Sequence, residues 1–139
     1  MEKGQFFMDC LFDNMAKFLV IAEKPSVAQS LAKNLSAYQR KDGYLEGNSC
    51  IVSWCLGHLA EYVPPEIYDE KYAKWQFEDL PIIPEVWKVQ VSEDKKKQFD
   101  VICSLMNRAD VAYLVNGCDA GREGELIFKR VYDLAGCQK

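Results

Sequence analysis

Basic residues are outnumbered in this 139-residue sequence, which has 17 lysines and arginines against 21 aspartates and glutamates. Domains that hold nucleic acid by charge usually carry a basic surplus. The net charge of −4 therefore argues against tight DNA binding by electrostatics alone. It does not exclude a catalytic module that reaches phosphate groups through a bound metal ion.

Several targeting and metal-site patterns are also missing. No apolar run is long enough to span a bilayer, so we expect no membrane partner. Acidic residues scattered through the N-terminal stretch M-E-K-G-Q-F-F-M-D-C-L-F-D-N make it a poor signal peptide. The six cysteines form no C-x-x-C pair, which argues against a zinc site. Because several of them lie in apolar segments, where free cysteine behaves as a small hydrophobe, we expect a reducing, cytoplasmic environment.

The most informative stretch is residues 111–128, V-A-Y-L-V-N-G-C-D-A-G-R-E-G-E-L-I-F. It starts as a continuous apolar run, which is typical of a parallel strand covered on both faces. It ends as an amphipathic helix. The turn between them is rich in acids and glycine and contains Asp119, Gly121, Arg122, Glu123, Gly124 and Glu125.

Two interpretations of this acidic turn compete. Open α/β sheets bind ligands at the carboxyl ends of their strands, and closely spaced carboxylates are ligands that Mg²⁺ takes. Acidic residues in a first helical turn also stabilise the helix dipole, and this simpler reading suits Glu123 and Glu125 taken alone. Asp119 precedes the helix and favours a metal site. The glycine spacing does not fit the G-x-G-x-x-G dinucleotide fingerprint.

A second strand-to-helix turn occurs near the beginning of the sequence. Residues 18–22, F-L-V-I-A, predict a buried strand, and Glu23 and Lys24 follow it. Ser26 with Gln29 predicts a capping box for a helix over residues 27–35. In a parallel sheet both turns would lie at the same edge. A solvated loop position is the usual fate of such charged residues, but the shared edge favours a functional role for Glu23 and Lys24.

The middle of the chain predicts a hairpin, an irregular loop and one helix. Residues 44–46 and 50–56 predict paired strands, preceded by a turn at residues 41–43. His58, the only histidine, follows the second strand. A lone histidine is more often structural than catalytic, but a position after a strand also allows this one to face the ligand-binding edge of the sheet. The aromatic residues within 64–84 predict a loop whose rings pack on the sheet, and base stacking is the alternative. Residues 87–91 predict a strand, and Ser92 caps a helix to about residue 108.

The two turns together resemble a known family. F-L-V-I-A-E-K-P-S-V-A-Q-S-L-A-K and D-A-G-R-E-G-E-L-I-F, with S-W-C-L-G-H-L-A-E-Y between them, resemble the Toprim domain of type IA DNA topoisomerases, in particular the bacterial topoisomerase III branch. The resemblance implies a Rossmann-like α/β fold with a mostly parallel sheet flanked by helices. The hairpin and the aromatic loop are additions to that sheet. It also implies Mg²⁺-dependent cleavage of one DNA strand, passage of another strand and religation.

The resemblance assigns roles to individual positions. Glu23 matches a catalytic glutamate beside the scissile phosphate, which also serves the metal site, and Lys24 matches a lysine that contacts that phosphate. Asp119 and Glu123 match metal-site acids. Arg122 is a candidate contact for phosphate or DNA, and so is His58. Gly121 and Glu125 complete the motif.

One motif position departs from the family pattern. The common form is D-x-D-x-E, and its middle aspartate is Gly121 here. The site then has one carboxylate fewer, although some topoisomerase III sequences share D-A-G-R-E-G-E. Because Mg²⁺ readily keeps waters and takes substrate phosphate oxygens, we expect weak metal binding in the absence of DNA.

The expected organisation is a poorly ordered extension over residues 1–16 and a Toprim domain over residues 17–139. Met15 is an alternative translation start directly before the first strand. In the family a tyrosine on a later domain is the nucleophile, so the resemblance implies further topoisomerase domains, in cis or in trans, and single-stranded DNA as partners. We expect no DNA relaxation by residues 1–139 alone and a bacterial, nucleoid-associated setting.

Two other functions are compatible with the sequence. The first is a different Toprim enzyme, such as a primase-like polymerase or a small nuclease, which shares the glutamate and the acidic motif. The second is a non-catalytic remnant or an acidic module that binds a protein. A phosphoacceptor receiver domain is disfavoured, because it needs an acidic pair after its first strand and here Lys24 follows Glu23.

Overall fold

A computed structural model describes residues 16–139. The expected extension and the alternative start at Met15 therefore lie outside the described residues, apart from residue 16. The strands and α-helices in this range are β1 (Lys17–Ala22), α1 (Pro25–Asn34), β2 (Gln39–Lys41), β3 (Tyr44–Glu46), β4 (Cys50–Trp54), β5 (Ala60–Tyr62), β6 (Val89–Val91), α2 (Lys96–Met106), β7 (Val111–Gly117) and α3 (Arg122–Leu134). None of the helices in this range has the length and apolar character needed to cross a bilayer.

The main sheet has the strand order β2-β3-β4-β1-β7. Strand β1 pairs in parallel with both β4 and β7, while β2 and β3 add an antiparallel hairpin beside β4. Ala22 at the end of β1 lies opposite Trp54 of β4 and Gly117 of β7, so the three parallel strands end at one edge. The predicted α/β class with a flanked, mostly parallel sheet and an added hairpin is confirmed.

Helices cover both faces of the sheet. Alternate residues of a strand point to opposite faces, and β1 is buried on both, with Leu19 and Ile21 on one side and Val20 on the other. The first pair packs with residues of α2 and α3, including Ile102 and Val131. The opposite face is covered by α1. This two-sided burial makes β1 the centre of the domain.

Strand β7 differs from its prediction as a strand covered on both faces. It lies at the end of the described sheet, where β1 is its neighbour on one side. Tyr113 is 55% exposed and Val115 is 36% exposed. The physical reason is that α1 packs mainly over β4 and β1, so Tyr113 and Val115 are left only partly covered. Tyr113 instead stacks on Phe18, with ring centroids 5.6 Å apart.

The beginnings of two helices also differ from the predictions. Helix α1 starts at Pro25, and Lys24 occupies the N-cap position without a side-chain cap. Ser26 is therefore inside the helix, and the predicted capping box is wrong, because proline fits the first helical position better. Helix α2 starts at Lys96 after a short 3₁₀ turn, and Ser92 makes no side-chain cap either.

Residues 63–88 form an arm between β5 and β6, which pair with each other in a separate two-stranded sheet. The prediction that the rings of this segment pack on the main sheet is wrong, because Trp75 is 76% exposed and Phe77 is 87% exposed. The arm is attached at its base instead. The ring of Tyr62 contacts the guanidinium of Arg130, 4.3 Å from the ring centroid, and the ring of Trp87, with centroids 5.0 Å apart.

The opposite edge of the sheet, at the amino ends of the parallel strands, holds a compact ion cluster. Arg108 donates to Glu46 at 2.9 Å and to Asp110 at 2.7 Å, and Lys17 donates to the same oxygen of Glu46 at 2.6 Å. The side chains are only 13–32% exposed. The cluster therefore connects β1, β3 and the start of β7 by partly desolvated charges, which are worth more than exposed ion pairs.

This cluster predicts an acid-sensitive contribution to stability. Burial raises the pKa of Glu46, but hydrogen bonds and charge from Arg108 and Lys17 outweigh it, so the pKa lies below its ordinary 4.5. The hydrogen bond from Arg108 holds the pKa of Asp110 below its ordinary 3.8. Depressed carboxyl pKa values stabilise the fold above those ordinary values, and the contribution is lost as the pH falls below them.

We expect Arg108→Ala to lower the free energy of unfolding at pH 7 by about 1–3 kcal/mol. The decline of stability below the ordinary pKa of 4.5 should also become shallower than in the unsubstituted chain. Urea denaturation across a pH series measures both effects. The control is Lys97→Ala, which removes a pair with Asp42 whose side chains are both 79% exposed; it should cost less than about 0.5 kcal/mol. Equal losses in the two variants would contradict the role of the cluster.

Candidate functional site

Three turns meet where β1, β4 and β7 end. The first carries Glu23 and Lys24, the second continues from Cys55 to His58, and the third is the acidic turn, residues 118–125. Two hydrogen bonds extend the pairing of β1 with β4 beyond the sheet, from Cys55 N to Ala22 O at 2.7 Å and from Gly57 N to Glu23 O at 3.2 Å. The second turn is thereby held beside Glu23.

The acidic turn is shaped by one glycine. A Cβ atom added to Gly124 would lie 2.0 Å from the carbonyl oxygen of Asp119. Such a distance is sterically impossible, so the backbone of Asp119 packs directly on the first turn of α3 only because residue 124 has no side chain. Glycine is the residue that allows this approach. Gly124 therefore fixes where Asp119 stands relative to Glu123 and Glu125.

Gly121 has a different environment. It occupies the N-cap position of α3 in an extended conformation (φ 177°), and its carbonyl accepts from Glu125 N at 3.1 Å. In the part of the chain that the structure describes, no atom beyond the adjoining residues lies within 4 Å of an added Cβ. An extended backbone accepts any residue, so the absence of the family's aspartate at this position is not imposed by the fold.

His58 and Glu123 join the second and third turns. His58 Nε2 lies 2.9 Å from Glu123 Oε2, so the lone histidine stands at the same edge as the acidic motif. The histidine backbone is held in turn, because Lys95 Nζ donates to His58 O at 2.8 Å. Lys95 begins the run Lys95-Lys96-Lys97, and such a charge run in a helical segment usually indicates a solvated face. No sequence pattern indicates its contact with residue 58.

Glu125 faces a different neighbour from Glu123. Asn116 Nδ2 donates to Glu125 at 3.1 Å, and Asn116 Oδ1 accepts from Cys118 N at the same distance. Asn116 thus braces the turn from the last part of β7. The sequence gives little indication that Asn116 supports the turn. The one clue is that it is a polar residue inside an otherwise apolar strand.

The charged residues of the site differ in exposure. Glu23 is half-buried, whereas Lys24, Asp119 and Arg122 are exposed, and Glu123 has a side chain that is 77% exposed. Among residues 16–139, no group of three acidic, histidine or cysteine side chains is close enough to hold a metal ion without help. The predicted site residues are therefore brought to one edge but not into a closed metal cage.

The donor chemistry nevertheless fits a loosely held Mg²⁺. Mg²⁺ commonly binds through one or two carboxylates plus water and substrate phosphate. Asp119 and Glu123 offer hard oxygen donors on either side of Gly121, where the space beyond the backbone is open. These two carboxylates suit a metal ion that is shared with a phosphate group rather than one that is enclosed by protein ligands.

Two thiols lie beneath this edge. Cys55, which is completely buried, follows β4, and the half-buried Cys118 follows β7, where its thiol donates to Ile21 O at 3.7 Å. The influence of the Cys118 thiol and burial raise the pKa of Cys55. The influence of the Cys55 thiol lowers the pKa of Cys118, against the opposing effects of burial and nearby carboxylates. Sequence spacing gives no indication of this pair, since 62 residues separate its members.

Comparison with known proteins matches residues 18–139 to the model of the Toprim domain. DNA topoisomerase 3 from Bacillus thuringiensis (strain Al Hakam) is 49% identical over 119 residues, covering 86% of this chain and 16% of the relative. DNA topoisomerase 3 from Bacillus subtilis (strain 168) is 45% identical over 125 residues, covering 90% of this chain and 17% of the relative. The chain thus spans about one-sixth of the length of these relatives.

Substitution of the two glycines should have opposite outcomes. Gly124→Ala forces the backbone of Asp119 away from α3, which we expect to cost about 1–3 kcal/mol of unfolding free energy, as overpacking does. Gly121→Ser places a good N-cap residue in open space and should change stability by only a few tenths of a kcal/mol, roughly. Urea denaturation of both variants makes the comparison. A tolerated Gly124→Ala would contradict the close packing of this turn.

Proposed function

This chain belongs to the Toprim domain family, and we propose that it supplies the phosphate- and magnesium-binding part of a type IA DNA topoisomerase similar to DNA topoisomerase 3. The proposed reaction is cleavage of one DNA strand, passage of a second strand and religation. The proposed partners are single-stranded DNA and the remaining domains of such an enzyme, which act with residues 17–139 in cis or in trans. The relatives are DNA topoisomerases, which supports DNA as the substrate class.

The observation that carries this proposal is the meeting of the Glu23 turn and the acidic turn at the ends of paired strands. Ala22 and Gly117 are register partners, so Glu23 and Asp119 follow neighbouring strand ends. The contact of His58 with Glu123 brings a third turn to the same place. Cleavage of a phosphodiester needs groups that orient it, neutralise its charge and transfer a proton. A cation, acids and a histidine on one open edge are groups of these kinds.

In the proposed mechanism, Lys24 contacts a non-bridging oxygen of the scissile phosphate, and its exposed position at the start of α1 suits this role. Glu23 gives a proton to the leaving 3′-oxygen as the strand is cut and takes it back on religation. Arg122, at the first position of α3, offers a second cationic contact. The free N–H groups in that first helical turn favour a phosphate at the same place.

Mg²⁺, when bound, neutralises charge on the phosphoryl oxygens. Asp119 and Glu123 would hold it, and Glu23 is a third candidate ligand. His58 orients Glu123 through the 2.9 Å contact, and Glu125 remains with Asn116 as a support of the turn.

The nucleophile is not proposed from within this domain. Tyr113 lies in β7, stacked on Phe18, and Tyr132 lies in the second half of α3, where its hydroxyl donates to Lys139 O at 3.0 Å. Neither belongs to the three turns of the site. The tyrosine that attacks the phosphate in the family would come from another domain, so residues 1–139 alone should relax no DNA.

A chimeric enzyme tests the proposed chemistry. Residues 17–139 replace the matching segment of the Bacillus subtilis DNA topoisomerase 3, and relaxation of negatively supercoiled DNA is measured with Mg²⁺. We expect an active chimera and a loss of about 100-fold or more with Glu23→Gln, because general acid catalysis contributes that much. The control is Glu66→Gln, an exposed carboxylate of the arm, which should leave the rate unchanged.

The outcomes separate the alternatives. A Glu23→Gln chimera as active as the unsubstituted chimera would disprove the role of Glu23. Nicking or primer synthesis by residues 1–139 alone would favour a nuclease or a primase-like enzyme. A chain that binds neither Mg²⁺ nor single-stranded DNA would favour a non-catalytic module.

Gly121 provides a sharper test of the metal site. We expect residues 1–139 to bind Mg²⁺ weakly without DNA and more tightly with single-stranded DNA, because phosphate oxygens complete the ion's coordination. Gly121→Asp should tighten binding without DNA by roughly tenfold, equivalent to about 1.4 kcal/mol. Isothermal titration calorimetry gives both constants.

The matched control for this test is Gly121→Asn, which adds a side chain of the same size without the charge. It should change the affinity little. Tight binding by the unsubstituted chain in the absence of DNA, or an equal effect of Asn and Asp, would contradict the proposed site.

A further inference from the structure

Lys95 differs from the two lysines that follow it, because it turns toward the body of the domain. It is half-buried, whereas Lys96 and Lys97 are exposed. Its Nζ atom donates to the carbonyl oxygen of His58 at 2.8 Å. A hydrogen bond with a charged donor is stronger than one between neutral groups. Lys95 therefore fixes the backbone at residue 58 from the side of α2.

The segment between β6 and α2 holds the chain after β4 at two neighbouring residues. Besides the contact of Lys95 with His58, the backbone N–H of Ser92 donates to Leu59 O at 3.1 Å. Leu59 has no exposed surface and belongs to the core. The carbonyl groups of residues 58 and 59 thus both accept hydrogen bonds from this segment, which sets the position from which the ring of His58 extends.

The residue before His58 shows why such a hold is needed. Gly57 has a φ of +68°, a conformation that glycine adopts without steric cost. Its N–H donates to Glu23 O at 3.2 Å. Because glycine has the greatest backbone freedom of all residues, a bond beyond it is needed to fix the residue that follows. The turn is therefore attached to Glu23 on one side of the glycine and to Lys95 on the other.

The contact between His58 and Glu123 depends on such support because it lies near the surface. Nε2 and Oε2 are 2.9 Å apart, but the two side chains are 36% and 77% exposed. Exposed pairs are weak, partly because both side chains lose conformational freedom when they form. If the backbone of the histidine is already fixed, less freedom remains to be lost. A fixed residue 58 therefore holds Glu123 more firmly.

We propose that Lys95 is a positioning residue, which fixes His58 and, through the histidine ring, orients the carboxylate of Glu123 for Mg²⁺. Partners outside the metal ligands commonly orient those ligands in this way. Lys95 itself contacts neither the metal nor DNA in this role. The effect on the metal rests on the proposed function, whereas the effect of Lys95 on the contact between His58 and Glu123 does not.

NMR spectroscopy of the lone histidine tests the contact. The protein is isotope-labelled residues 1–139 without a histidine tag, so the single imidazole Cε1–Hε1 resonance comes from His58. At constant pH, Glu123→Ala removes the carboxylate and should shift this resonance. Lys95→Met keeps a long side chain without a donor and should shift it in the same direction. Lys95→Arg keeps a cationic donor and should leave it near its original position.

A double variant separates positioning from a direct influence of the lysine charge. If Lys95 acts by holding the ring on Glu123, then Lys95→Met combined with Glu123→Ala should give the same resonance as Glu123→Ala alone. A further shift as large as that of Lys95→Met alone would overturn the proposal, because it would show an effect of the lost charge.

The matched control is Lys97→Met, which removes an exposed lysine of the same run and should leave the resonance in place. Lys95→Ala is a second variant without the donor, and it gives the same comparison if Lys95→Met does not fold. An unshifted His58 resonance in a folded variant of either kind would overturn the proposal.

The chimeric enzyme tests the effect on the metal. We expect Lys95→Met to raise the Mg²⁺ concentration for half-maximal relaxation by about tenfold, because loss of such an outer partner typically weakens metal binding by that much or more. Lys95→Arg should restore the original requirement. An unchanged Mg²⁺ requirement in Lys95→Met would overturn the role at the metal. Inactivity of the unsubstituted chimera would refute the proposed function, while the NMR result would still decide whether Lys95 holds the contact.

Discussion

The parallel pairing of β1 with two neighbours is the constraint on which the rest of the domain depends. Leu19 and Ile21 have no exposed surface, and β1 is hydrogen-bonded along both sides. Because its neighbours run in the same direction and end in register with it, three separate turns are delivered to a single edge. Glu23, His58 and Asp119 are distant in sequence, and this pairing brings the turns that carry them to the same edge.

Local order at that edge comes from close packing and from hydrogen bonds to neighbouring residues. The acids of the site repel one another, so their positions need an independent support. Gly124 provides it by letting the Asp119 backbone rest on α3, and Asn116 provides it for Glu125. A charged site on a rigid frame can exchange water for phosphate without first ordering its own chain, which is the benefit of preorganisation.

The sequence predicts the parts of this architecture that follow from chemical pattern. The strand at residues 18–22, the hairpin and the acidic turn were all recognisable, because apolar runs and turn residues encode local structure. The exposure of β7 was not recognisable, because a strand at the centre of a sheet and a strand at its end can have the same apolar sequence pattern. The contact between His58 and Glu123 and the thiol pair depend on tertiary packing, and no spacing in the chain encodes them.

The side of β7 away from β1, which no other strand of residues 16–139 covers, has a practical consequence for work with residues 1–139. Its backbone groups and the exposed rings and methyl groups of Tyr113 and Val115 offer a template to which an extended segment can add. In concentrated solution, edge-to-edge association of copies then competes with monomeric behaviour. Heat signals from such aggregation would be superimposed on those of ligand titrations, so dilute protein is the appropriate condition for metal and DNA binding.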